Sequence, residues 1–141
     1  MANIIPFAFR GELLSGTHNF ANGGNSFKIA LYTGNPYGTG STAYLTGQEV
    51  SANNTGYTTA GKVLAGQAVV STGAIATVDF TDSTLNNATF TAAFAAIYND
   101  TNADKLCVVL DFGGNKTATN GTFSISFPNP STPANAIISM A

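Results

Sequence analysis

The chain has 141 residues and a formal net charge of −2, with 44% hydrophobic and only 9% charged residues; the usual charged share is about 25%. That length holds one domain, and the hydrophobic content excludes a disordered chain. Arg10, Lys28, Lys62, Lys105 and Lys116 are spread from end to end, so no basic stripe exists to neutralise a row of phosphates, and no nucleic-acid partner is expected.

In chain order, an apolar start leads to Pro6, after which Phe7, Leu13 and Leu14, with Phe9 and Arg10 between, predict one or two turns of amphipathic helix within residues 6–16. Pro6 suits a first helical position and Gly16 a stop. The turn-like Ala21-Asn22-Gly23-Gly24-Asn25 then delivers the chain to SFKIALY, where Phe27, Ile29 and Leu31 alternate with Lys28, Ala30 and Tyr32, the pattern of a half-buried strand. Thr33 to Gly61 shows little apolar periodicity. A connection of that length inside one domain is unusual unless it has a task or orders against a partner.

Strand-like runs then recur at short intervals: VLAGQAVVS, AIATVDF, TFTAAFAAIY, KLCVVLDF, GTFSISF and NAIISM. Turn clusters separate them, among them Asn99-Asp100-Thr101-Asn102, Gly113-Gly114-Asn115 and Asn120-Gly121. Leu106 to Leu110 is almost continuously apolar, which predicts a strand in the middle of a sheet with both faces covered. Pro128 and Pro130 end the run at Phe127, and NAIISM returns as an edge strand. The fold class expected is all-β, a two-sheet antiparallel sandwich, jelly-roll-like, with a short N-terminal helix or arm over residues 1–24 and the sandwich domain over 25–141.

Catalytic chemistry is sparse. The one histidine, His18, lies just after the predicted helix and reads as a capping or turn residue; Cys107 sits inside an apolar run and reads as buried. A single cysteine makes no intrachain disulfide and no zinc cluster. Asp100-Thr101-Asn102-Ala103-Asp104, with Asp111 at the twelfth position, mimics a calcium loop, but its sixth position is Lys105 where the sharp turn needs Gly, so a hairpin turn is expected. No enzyme activity, cofactor, metal or membrane partner is expected, since no apolar stretch approaches the ~18–20 residues of a span. The single cysteine leaves the redox compartment open with cytosolic synthesis favoured, and the start of the chain lacks the charge order of a secretory signal, so processing is not expected.

What the residues offer is surface. With 19 Thr and 15 Asn, the chain presents short hydrogen-bonding side chains, and low charge suits a surface lying against another protein. The arm residues Ile4, Ile5, Phe7 and Phe9 can dock on a neighbour or cover the open end of their own sandwich. Tyr37, Tyr44 and Tyr57 are the remaining contact candidates, and as exposed aromatics they would also suit a carbohydrate-binding module.

Taken in order, FRGELLSGTHNF, FKIALYTGNP, TAYLTGQEVSANNTGYTTAGKVL, VDFTDSTLNNATFTAAFAAIYND and VVLDFGGNKTATNGTFSISFP resemble small virion structural proteins of tailed bacteriophages. The likeness runs from about residue 7 to residue 139, and departs from the usual pattern at Ser51 to Tyr57, within a loop. The resemblance implies a virion part made in the bacterial host cytoplasm, and supplies no catalytic residues. It suggests a capsid decoration, or cement, protein on the outside of the head, binding the major capsid protein and associating with itself as a symmetric trimer. A neck or tail position, as a collar, adaptor or fibre-associated subunit, is the alternative. On the cement reading the arm and the Thr33 to Gly61 loop carry the contacts.

Overall fold

The computed structural model describes residues 3–132 and 136–140. After the helix α1 (Phe7–Leu14) come seven strands: β1 (Phe27–Tyr32), β2 (Lys62–Val63), β3 (Ala68–Thr72), β4 (Ile75–Asp79), β5 (Ser83–Asn99), β6 (Lys105–Ile125) and β7 (Ile138–Met140). They form two antiparallel sheets, one ordered β2-β1-β5-β6 and the other β3-β4-β7. This is the all-β, two-sheet sandwich with a short N-terminal helix that the strand rhythm predicts.

The helix begins one residue later than the proline reading has it, with Pro6 extended as the N-cap, and ends before Gly16, whose φ of +76° no side chain hinders. Phe9 is the helix's buried side chain. It joins Phe20, Phe27 and Phe80 in an aromatic core where Phe20 stacks on Phe27 at 4.4 Å and Phe80 meets both edge-on. Each such ring contributes on the order of 2–3 kcal/mol by leaving water. The N-terminal arm and the sandwich therefore share one core.

Three expectations are corrected. Strand β1 is not half-buried: Ala30 and Tyr32 are as inaccessible as Phe27, Ile29 and Leu31, and only Lys28 reaches the surface. The cover on its second face is the 33–61 segment, which lays Tyr37 and Tyr44 over Ala30, Tyr32, Ala96, Tyr98, Leu106 and Val109. The long connection is thus a third layer, ordered against its own sheet.

KLCVVLDF and GTFSISF are one strand rather than two. Gly113, Gly114 and Asn120 have positive φ, as turn residues would, but they form bulges that the ladder with β5 passes and resumes beyond, pairing Ala92 with Lys116 and Ala88 with Gly121. The central strand is β5, and β6 lies at the sheet edge. Leu106 to Leu110 are nevertheless buried on both faces, because the third layer covers one of them. Asp100 to Asp104 form the β5–β6 hairpin turn, with Ala103 and Asp104 at positive φ. The closing run contributes β7, an edge strand as expected; Asn135 lies outside the described residues.

Candidate functional site

The tyrosines come first, because three of them were contact candidates. All five converge on one carboxylate and its surroundings. Glu49 accepts hydrogen bonds from Tyr44 Oη at 2.5 Å and Tyr57 Oη at 2.6 Å on its two oxygens, and from Ala60 N–H at 2.8 Å. Tyr98 Oη donates to Ala60 O, Tyr44 stacks on Tyr98 at 4.9 Å, and Tyr32 and Tyr37 share a hydrogen bond of 2.6 Å beneath Leu45 O. The loop is pinned from both ends. Burial first, and then the Glu49 charge or a neighbouring phenol, pushes the ionisation of Tyr32, Tyr44 and Tyr57 up; burial and nearby carboxylates do the same for Tyr98, and burial for Tyr37.

The return of this layer onto β1 depends on a glycine. Gly61 sits at φ +87°, and a Cβ there would meet Ile29 O at 2.1 Å, so the return of the loop onto β1 requires its absence.

A second buried cluster lies under α1. His18, its side chain wholly inaccessible, donates from Nε2 to Glu12 Oε2 at 2.7 Å. Its Nδ1 accepts from Asn99 Nδ2 at 3.1 Å, which sets the tautomer, and Cys107 Sγ lies 3.7 Å away. Lys105 Nζ holds the other Glu12 oxygen at 3.1 Å. Burial alone would raise the Glu12 pKa, but the hydrogen bonds from His18 and Lys105 outweigh it and the net displacement is downward.

Thiol, imidazole and carboxylate thus stand in the order a nucleophile, its base and an orienting group would take. Two features disable that chemistry in this conformation. Cys107 is 0% exposed and burial, reinforced by the Glu12 charge, pushes its thiol up well above the ordinary range, away from thiolate. The Nδ1 lone pair is already taken by Asn99. The cluster instead ties α1 and the chain after it to the β5–β6 hairpin, where Asn99 and Asn102 also bond Thr17 O and Asn25 Oδ1. His18 is therefore a buried hydrogen-bonding post, further inside than a capping residue. Among the described residues no group of three His, Cys, Asp or Glu converges as a metal site, and no helix is long and apolar enough to cross a membrane.

The arm divides. Ile4 bridges Val109 on the edge of β6, exchanging N–H···O bonds of 2.9 Å in both directions, and Ile5 packs against the main core. Phe9 is buried. The arm therefore covers its own sandwich, the second of the two dispositions open to it. Tyr37 and Tyr57 are buried and Tyr44 half-buried. Of the seven contact candidates only Phe7, 61% exposed, turns its side chain mainly to solvent.

A different surface takes their place. Leu14 is 88% exposed, Val69 52% and Met140 53%. These side chains rim a groove of about 490 Å³ between α1 and β7, floored by Ile5, Phe9 and Leu13, and an adjoining cleft of about 250 Å³ where α1 meets the inner face of the smaller sheet. The register places Val69 opposite Val78 and Met140 opposite Ala76 on that face, so a three-stranded sheet too small to close the sandwich leaves part of its interior open. Arg10 is the one charged side chain on the groove, its guanidinium 5.8 Å from the Phe7 ring. The amphipathic reading groups Leu14 with Phe7 and Leu13, and the structure leaves Leu14 almost fully exposed. Among the described residues nothing covers this part of the small sheet, and no local pattern in the sequence signals it. Comparison with known protein families, curated proteins and solved structures finds no match to this chain.

Proposed function

We propose that the protein is a non-enzymatic structural subunit of a tailed-phage virion, and specifically a capsid decoration (cement) protein that binds the major capsid protein on the outside of the head. The observation that carries this reading is the open seam of Leu14, Val69 and Met140 on a chain with so few charges. Contiguous exposed apolar residues with a polar surround are the mark of a protein-binding surface. The likeness of the ordered sequence motifs to small phage virion proteins points the same way, and His18 and Cys107 are both buried. A ligand that fits the expanded shell better than its precursor stabilises the expanded state by its differential affinity. The seam would supply that affinity.

The carbohydrate-binding reading loses its support, since Tyr37 and Tyr57 face inward and Tyr44 is engaged by Glu49 and Tyr98.

The test is rebinding to heads stripped of the protein. Leu14→Asp and Met140→Asp, each at an exposed position, should leave thermal unfolding close to that of the parent. Each should weaken head binding at least tenfold, because a charge is driven into an apolar contact. Undiminished binding of both folded variants would remove the seam from the account.

A further inference from the structure

The longest strand of the fold lies at a sheet edge, and its two halves are treated differently. The first half of β6 is covered by the chain itself: Ile4 exchanges backbone hydrogen bonds with Val109, Leu106 N–H donates to Thr42 O at 3.0 Å, and Asp111 N–H donates to Asn3 Oδ1 at 2.8 Å. The far edge of β5 is covered too, with Thr89 N–H on Thr55 O at 2.8 Å and the Lys62 ammonium on Thr84 O. Two other free edges are blunted by shortness, β2 having two residues and β7 three. Among the described residues the second half of β6 has no such cover.

The Lys62 bond also fixes the phase of the ladder. In an antiparallel strand a residue's N–H and C=O point to the same side. The Thr84 carbonyl is turned to Lys62, away from β6, so Thr84 and its partner Ser124 form a non-hydrogen-bonded pair. Ser124 N–H and C=O therefore face outward, and by the two-residue alternation so do those of Thr122 and Ser126. Phe127 N–H, turned back to Asp82 Oδ1 at 2.8 Å, keeps the alternation. No described residue takes these outward groups. Thr122 to Ser126 contains no charge and no proline, the usual devices against edge pairing.

We propose that Thr122–Ser126, the end of β6 and the residue that follows it, pairs antiparallel with the same segment of a second copy, about a two-fold axis through Ser124. The occupant follows from self-complementarity. About that axis Ser124 meets Ser124, Phe123 meets Ile125 and Thr122 meets Ser126. Every pair then matches in kind: the buried apolar side chains lie on one face and the exposed hydroxyls on the other. The outward groups of Thr122, Ser124 and Ser126 supply about six backbone hydrogen bonds, joining the two four-stranded sheets into one. A five-residue strand pair is smaller than the roughly 800 Å² per partner of a standard interface, so the dimer is concentration-dependent, and it is two-fold rather than the trimer the phage resemblance implies. It is read from this edge alone and stands or falls apart from the site on a phage head.

Sedimentation of the full chain over a wide concentration range should show a mass rising towards twice that of the monomer. Ser124→Pro removes an N–H that makes no bond within the chain, and should abolish the rise while circular dichroism stays native. Under oxidation Ser124→Cys, facing its own copy at about 5.5 Å between Cα atoms, should form a covalent dimer. Thr84→Cys, exposed one strand further in, should not. A trimer, a dimer that survives in folded Ser124→Pro, or a monomer at all concentrations with no Ser124→Cys cross-link would each overturn the proposal.

Discussion

At the scale of single residues, Glu49 and Cys107 carry the clearest consequences. Glu49 accepts from two phenols and a backbone amide, so Glu49→Ala leaves buried donors unpartnered and should cost about 3 kcal/mol. Glu49→Gln retains one acceptor oxygen and should cost less; denaturant unfolding of both variants measures the difference. Equal, negligible losses would mean that the tyrosine layer holds without the carboxylate. Cys107, buried and held in its thiol form, should react with an aromatic disulfide reagent at least a thousandfold more slowly in the native protein than in denaturant. Rapid native labelling would instead show that the thiol is reachable. The burial of Cys107 is legible from the apolar run around it, whereas Glu49 lies in an aperiodic stretch and the contacts of His18 with Asn99 and Cys107 join residues about 80 to 90 positions apart.

Among the elements, the helix, β1, β4, the hairpin turn at Asp100–Asp104 and the terminal edge strand were legible because each rests on local periodicity or turn chemistry. What misled was Gly113-Gly114-Asn115. Glycine pairs mark turns and bulges alike, and only the ladder with β5 distinguishes them. The burial of β1 on both faces was hidden for another reason: its cover comes from a loop whose apolar contribution is tyrosine, spaced irregularly. That layer makes an alkaline prediction. All five tyrosines have their ionisation raised in the folded state above the unfolded value of about 10. Their contribution to stability is full below that value and is lost as the pH rises beyond it, because the unfolded chain releases its phenolic protons first. Tyrosinate absorbance should therefore appear cooperatively with unfolding above about pH 10. A gradual titration of the native protein near pH 10 would contradict the buried network.

For the whole molecule, the distribution of exposed apolar side chains decides the functional reading. The sequence reading places the contact surface on the arm and the tyrosines, because apolar and aromatic residues in irregular segments look available until their partners are known. The structure folds Ile4, Ile5, Phe9 and the tyrosines onto the protein itself and leaves Leu14, Val69 and Met140 open where the smaller sheet runs out. Sandwich closure is a property of the whole fold, so this seam could not be read from any one segment. The most direct measurement is the three-dimensional imaging of the phage particle at a resolution that identifies individual chains. The account predicts many copies distributed over the outer shell, with the α1–β7 seam against the major capsid protein. A ring of copies confined to one vertex, or a particle that lacks the chain altogether, would contradict it.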